Sequence, residues 1–169
     1  MRLRPATKED IPLLKYWDKK PHVISAGGDD DWYDWDKEIP RNADWGEFFI
    51  AEEGGRAIGV LDIIDAAAEP THYWGDIDPT YRAIDIWIGE EDDLGKGYGT
   101  RMMHLALARC FADRRVKAVV IDPLERNLDA RRFYERLGFE FVERRRFETD
   151  DCIVYRITRE TFESLARKP

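Results

Sequence analysis

The sequence predicts an α/β fold in which a sheet is flanked by helices, and three observations carry that expectation. Residues 81–88 alternate strictly, with Ile84, Ile86 and Ile88 on one face and Tyr81, Ala83, Asp85 and Trp87 on the other, as a strand requires. From Thr100 the apolar residues Met103, Ala106, Leu107 and Cys110 recur at helical spacing to about residue 113. Ala118-Val119-Val120-Ile121 is then an unbroken apolar run, expected of a buried central strand, and Pro123 stops it. With 169 residues and 43% hydrophobic composition, the chain is expected to form one domain over residues 1–169.

The remaining elements follow in order. Residues 1–5 form a short strand, and Thr7 with Asp10 resembles a helix cap ahead of Ile11, Leu13, Leu14 and Trp17, predicting a helix over residues 8–17. Pro21, Gly27 and Gly28 break regularity. The stretch Asp29-Asp30-Asp31-Trp32-Tyr33-Asp34-Trp35-Asp36 interleaves carboxylates with aromatics. It reads either as a wall for an amine-rich ligand, with Trp32 and Trp35 as its faces, or as an acidic surface segment with its aromatics packed inward. Residues 48–52 and 56–65 read as two strands joined around Gly54-Gly55. The loop of residues 66–79 concentrates Glu69, Tyr73, Trp74, Asp76 and Asp78, which offers charge and stacking surface on a rigid sheet. Residues 140–147 and 152–157 are the last strands, around Thr149-Asp150-Asp151, and residues 160–166 a closing helix.

Two stretches carry chemistry. The first is Leu94-Gly95-Lys96-Gly97-Tyr98-Gly99-Thr100, a glycine-rich turn leading into the helix that begins near Thr100. Glycine permits positive φ and close backbone approach, and a helix N-terminus offers unpaired amides and a positive dipole end, so phosphate oxygens suit the turn. A flexible loop with a helix start is the bland reading. The spacing fits neither a P-loop nor a dinucleotide fingerprint. The second stretch, residues 127–139, has Asn127 as a good N-cap, Ala130, Tyr134 and Leu137 on one helical face, and Gly138 as the residue that ends the helix. Asp85, a carboxylate in mid-strand on a face otherwise aromatic or small, breaks the local rule within ten residues of the glycine turn; it is either a site residue or an exposed or paired acid.

A net charge of −8 disfavours nucleic acid and anionic membranes as partners and favours a polycationic small molecule. Cys110 and Cys152 lack paired metal-ligand spacing, His22, His72 and His104 are scattered, and no apolar run has spanning length. A cytoplasmic protein without a metal is expected.

Both stretches resemble the signatures of the GCN5-related N-acetyltransferase (GNAT) superfamily. The glycine turn is similar to its pyrophosphate loop, with Leu94 where the family usually has Gln or Arg, and Asn127, Ala130, Tyr134, Gly138 and Phe139 match its second signature at every named position. The resemblance implies a mixed, mostly antiparallel sheet splayed where acetyl-CoA inserts. It implies that the backbone of Ile86, Trp87 and Ile88 holds the pantetheine arm, that Gly95, Lys96, Gly97, Tyr98, Gly99 and Thr100 hold the pyrophosphate, and that Asn127 binds the arm's amide region. Tyr134 would protonate the departing thiolate. Ala83-Ile84-Asp85, the glycine turn, Ile121-Asp122-Pro123 and Asn127 further resemble the aminoglycoside 6′-N-acetyltransferases. That likeness implies that Asp85, Asp122 and Asp150 hold ammonium groups of the substrate, with Asp85 also orienting the attacking amine or helping to take its proton, directly or through water. Tyr73 and Trp74 are expected beside them. The chain departs from the subfamily at Ser25-Ala26, where tryptophans precede the Gly-Gly pair, and at Pro70, near another acidic position. A small cationic amine as partner, and a monomer or homodimer, complete the expectation. The alternatives are an acyltransferase for a siderophore precursor or polyamine, and a non-catalytic acyl-CoA-binding sensor.

Overall fold

The computed structural model describes residues 1–27, 33–41 and 43–167. Strands β1 (Arg2–Pro5), β2 (Gly46–Glu53), β3 (Arg56–Asp65), β4 (Tyr81–Ile88), β5 (Ala118–Ile121), β6 (Glu140–Phe147) and β7 (Asp150–Thr158) form one sheet in the order β1-β2-β3-β4-β5-β7-β6. The β4–β5 pairing is parallel and the other neighbours run antiparallel, so the sheet is mixed and mostly antiparallel, as expected. Helices α1 (Ile11–Trp17), α2 (Pro21–Ala26), α3 (Trp35–Glu38), α4 (Tyr98–Ala112), α5 (Leu128–Arg136) and α6 (Arg159–Ala166) flank it. Among the described residues no helix is long and apolar enough to cross a membrane.

The splay is visible in the register. β4 pairs with β3 from Arg82 to Ile88, yet with β5 only through Tyr81↔Ala118, Arg82↔Val119 and Ala83↔Val120. Beyond Ala83 the two parallel strands diverge, and among the described residues the edge of β4 from Ile84 to Ile88 has no strand on that side.

Local chemistry accounts for the element ends. Gly54 and Gly55 have φ of 58° and 82°, the left-handed pair that a tight hairpin demands. Asn127 caps α5 by accepting from the Ala130 amide at 3.1 Å, and Gly138, at φ 90°, ends the segment beyond it. The first helix differs from its expected extent. Residues Lys8–Asp10 form a 3₁₀ turn and α1 starts only at Ile11, because Pro12 has no N–H with which to bond back to Lys8. Further on, α4 begins at Tyr98 rather than near Thr100, since Gly97 at φ 79° serves as its N-cap.

Alternation along β4 divides its side chains between two faces. Ile84 is buried against Met102, Met103, Ala106 and Leu107 of α4, with Ile86 and Ile88 packed against the same cluster. On the opposite face Ala83 joins Trp74, Val120 and Phe147, whereas Trp87 packs against a cluster of Trp17, Trp35, Phe48 and Val60. Asp85 lies between those two apolar clusters, and Asp62 on β3 is its register partner. Trp35 is core, only 1% exposed, with its indole N–H donating to Asp18 at 2.5 Å. Inward packing is therefore the reading that holds for Trp35; residues 28–32, including Trp32, lie outside the described residues.

Candidate active site

Two adjoining cavities open where β4 leaves β5. The first follows the splay and is walled by Ile84, Asp85, Ile86, Trp87, Asn127 and Tyr134, with Asp122 and Asp150 also on its lining. Among the described residues the second is lined by Glu38, Arg41, Asp62, Glu69, Asp85, Asp122 and Glu148, six carboxylates against one guanidinium. Tyr33, Tyr73, Asp85 and Asp122 belong to both walls and mark the junction.

The parity of the β3–β4 ladder decides which backbone groups face the splay. Gly89 N–H donates to Ile58 O at 2.9 Å, and hydrogen-bonded pairs alternate in an antiparallel ladder, so Val60↔Trp87 and Asp62↔Asp85 are pairs of the same bonded class. The N–H and C=O of Ile86 and Ile88 therefore turn toward the gap. Those of Trp87 turn into β3, which corrects the expectation that the Trp87 backbone serves the gap; its contribution is the indole, stacked on Tyr33 at 5.9 Å and 11°. On the gap side the Ile88 carbonyl is already met by His22 Nε2 at 2.9 Å.

Beyond the strand, Gly95 and Gly97 lie at φ 71° and 79°, and a Cβ at either would have no atom within 4 Å. The turn thus presents open backbone. The Arg101 amide bonds back to Gly97 O at 3.2 Å, while the amides of Tyr98, Gly99 and Thr100, in the first turn of α4, have no acceptor within the helix. Lys96 is paired with Asp93 at 3.6 Å, and Leu94 is exposed. Positive-φ glycines, three orphan amides and a helix dipole in one place fit a pyrophosphate.

Tyr134 is buried on α5 beside Phe133 and Phe139, and its hydroxyl makes no hydrogen bond among the described residues. Burial, followed by the negative charges of Asp85 and Asp122, pushes its phenol above the ordinary range, so it keeps its proton. The Oδ1 of Asn127 is committed to the cap of α5, leaving its Nδ2 donors for the cavity. Asp85 accepts from the Tyr33 hydroxyl at 2.8 Å.

Tyr73 reaches from the loop to donate to Asp122 at 2.6 Å, and its ring stacks on Phe147 at 4.3 Å. Trp74 is mostly buried behind it, with one edge on the second cavity. Asp150 lines the first cavity and not the second, with Arg126 4.0 Å away. Asp85, Asp122 and Tyr73 are thus brought together at the junction; Asp150 stands apart from the acid-lined end.

A family model of the acetyltransferase (GNAT) domain matches residues 6–147. The chain belongs to the GNAT acetyltransferase family. This GNAT chain is 30% identical over 152 residues to the aminoglycoside N(6′)-acetyltransferase type 1 of Klebsiella pneumoniae, covering 82% of itself and 73% of that protein. It is 26% identical over 153 residues to the lysine N-acyltransferase MbtK of Mycobacterium tuberculosis, covering 83% of itself and 69% of the relative. Its fold matches that of the aminoglycoside acetyltransferase AAC(6′)-Ib in complex with coenzyme A and kanamycin, with a TM-score of 0.86, 26% identity and coverage of 97% and 98%. The protein is an N-acetyltransferase, and the GNAT sheet, open between its parallel strands, is the fold that the two signatures imply.

Among the lining residues of this GNAT site not singled out as site residues from sequence are Tyr33, Glu38, Arg41, Asp62 and Glu148. Asp62 carried a usable signal, a carboxylate amid the apolar run Ile58-Gly59-Val60-Leu61-Asp62-Ile63-Ile64, the same irregularity that draws attention to Asp85.

Proposed function

We propose that the protein transfers the acetyl group of acetyl-CoA to a primary amine of a polycationic small molecule, the 6′-amine of an aminoglycoside. The observation that carries this reading is the junction itself. The splay gap, where β4 has lost its β5 partner, meets a cavity whose described lining carries six carboxylates, and Asp85 and Asp122 stand on both walls. The open glycine turn stands at the N-terminus of α4. Likeness to the aminoglycoside N(6′)-acetyltransferase supports the substrate class.

Bound acetyl-CoA would supply an activated thioester. The amides of Gly95, Lys96, Gly97, Tyr98, Gly99 and Thr100 hold its pyrophosphate, the gap-facing backbone of Ile86 and Ile88 and the Nδ2 of Asn127 hold its arm, and the substrate's ammonium groups sit among the acids. The attacking amine must be neutral, and Asp85, oriented by Tyr33, holds the ammonium and accepts its proton directly or through water. Tyr134, protonated at its Oη, donates to the leaving sulfur. Asp122, held by Tyr73, binds a further ammonium, with Trp74 supporting Tyr73 from behind. Asp150 closes the far end of the first cavity.

A second reading, acylation of a lysine-like amine, is favoured by the likeness to the lysine N-acyltransferase and by Arg41, whose Nε and Nη2 are buried without a hydrogen bond among the described residues. Free-thiol release from acetyl-CoA separates the two. Release with kanamycin and tobramycin but not with lysine, hydroxylysine or spermidine supports the first; release only with the lysines replaces it by the second.

A further inference from the structure

Asp62 is 1% exposed, and its Oδ1 is fully buried without a hydrogen-bond partner among the described residues. A carboxyl oxygen withdrawn from water and left unbonded is expensive, so it calls for a partner, and an arriving cation is one that would supply it. It lies on the wall of the acid-lined cavity and is absent from the wall of the splay gap.

Its nearest equal is Asp85, directly opposite on β4. Cross-strand partners on one face have Cα atoms about 5.5 Å apart in a bonded pair, and like charges set opposite each other repel. The charged groups facing Asp62 are Asp85 and, from α3 and the 3₁₀ turn Ile39–Arg41 after it, Glu38 and Arg41. Arg41 does not complete the pair. Its guanidinium bonds to Glu38 and lies over the Trp45 ring at 3.7 Å, and it makes no ion pair with Asp62. Both nonetheless crowd one point, since a Cβ at Gly46 would lie 2.9 Å from Arg41 Nη2 and 3.6 Å from Asp62 Oδ1.

We propose that Asp62 is the seat for a second ammonium group of the substrate, one that is not acetylated, bound at the buried Oδ1 while Asp85 faces the reacting amine. The inference rests on the polycationic-substrate reading proposed above and names the residue that selects for it. Burial and then the charge of Asp85 push the Asp62 carboxyl up to about 8, so the empty seat carries a proton near neutral pH. An arriving ammonium displaces that proton to solvent, and Asp62 ionises against the new cation.

The test is calorimetric binding of kanamycin and of spermine near pH 6, where amines of both ligands stay charged, in buffers of different ionisation enthalpy. The unmodified chain is expected to release about one proton on binding. Asp62→Asn, an amide with the shape of the neutral acid, is expected to bind about tenfold more weakly and to lose that release. The proton count is read on the unmodified chain and so does not depend on the variant's folding. Binding without proton release, or release and affinity unchanged in Asp62→Asn, overturns the seat alone. Binding of spermine but not kanamycin keeps the seat and removes the aminoglycoside, whereas binding of neither ligand overturns both readings.

Discussion

The Tyr33 hydroxyl donates to Asp85 at 2.8 Å, joining residues 52 positions apart. The ring that carries it is fixed independently, stacked on Trp87 and set edge-on to Phe48 at 5.1 Å and 84°. Packing therefore delivers the hydroxyl to the carboxylate, and the hydrogen bond does not have to hold the ring in place. Tyr33→Phe is expected to keep the melting temperature and to lower kcat/KM by about tenfold, the worth of one hydrogen bond to a charged group. Steady-state thiol release beside thermal melting checks both halves.

Tyr134 invites the cleanest separation of stability from chemistry. Its ring fills the core beside α4, but its hydroxyl bonds to nothing among the described residues. Tyr134→Phe should leave folding and coenzyme A affinity unchanged while kcat falls by about 10²-fold or more, the usual worth of a general acid. A fall confined to KM would assign the hydroxyl to binding.

Gly97 and Gly99 are two residues apart and should respond oppositely to alanine. Gly97 has open space but lies at φ 79°, so Gly97→Ala costs about 1–2 kcal/mol through backbone strain and weakens coenzyme A binding with it. Gly99 is helical, and an added Cβ would meet Phe133 at an ordinary 3.5 Å. Gly99→Ala should hold stability or raise it by up to about 1 kcal/mol. Melting curves and coenzyme A titrations of the two variants give the contrast.

Asp62 makes stability depend on pH with a definite sign. Its carboxyl sits at about 8 in the folded chain against an ordinary 3.8, so between those values the folded state binds a proton that the unfolded state does not. Stability is then lost as pH rises through the window, by at most about 1.4 kcal/mol per unit. Asp62→Asn removes the loss. The variant's melting advantage over the unmodified chain should grow steadily from about pH 4 to about pH 8 and level off above it.

Much of this was legible in the amino-acid order because it is local. The alternation of β4, the left-handed glycines, the Asn127 cap and the Gly138 stop depend on a few neighbouring residues, and each appears as expected. Three features escaped because they are set by register or by a neighbour in space. Asp62 gains meaning only when the turn at Gly54-Gly55 and the β3–β4 ladder bring it opposite Asp85. The backbone of Trp87 is excluded from the gap by ladder parity, which no single strand reveals. Trp35 could not be told from a ligand wall until α3 folded it against Phe48. The start of α1 was in reach, since Pro12 announces it.

The short β4–β5 seam has a mechanical consequence. Among the described residues the β4–β5 ladder that joins β1–β4 to β5–β7 has three residue pairs, and from Ile84 onward it is interrupted. An extended molecule laid along the free edge would act as a missing strand and carry load across the interruption. Ligand affinity and the stiffness of the whole sheet then become two readings of one quantity, so that whatever loosens the seam at Ala83 and Val120 also loosens the grip on anything lying in the gap.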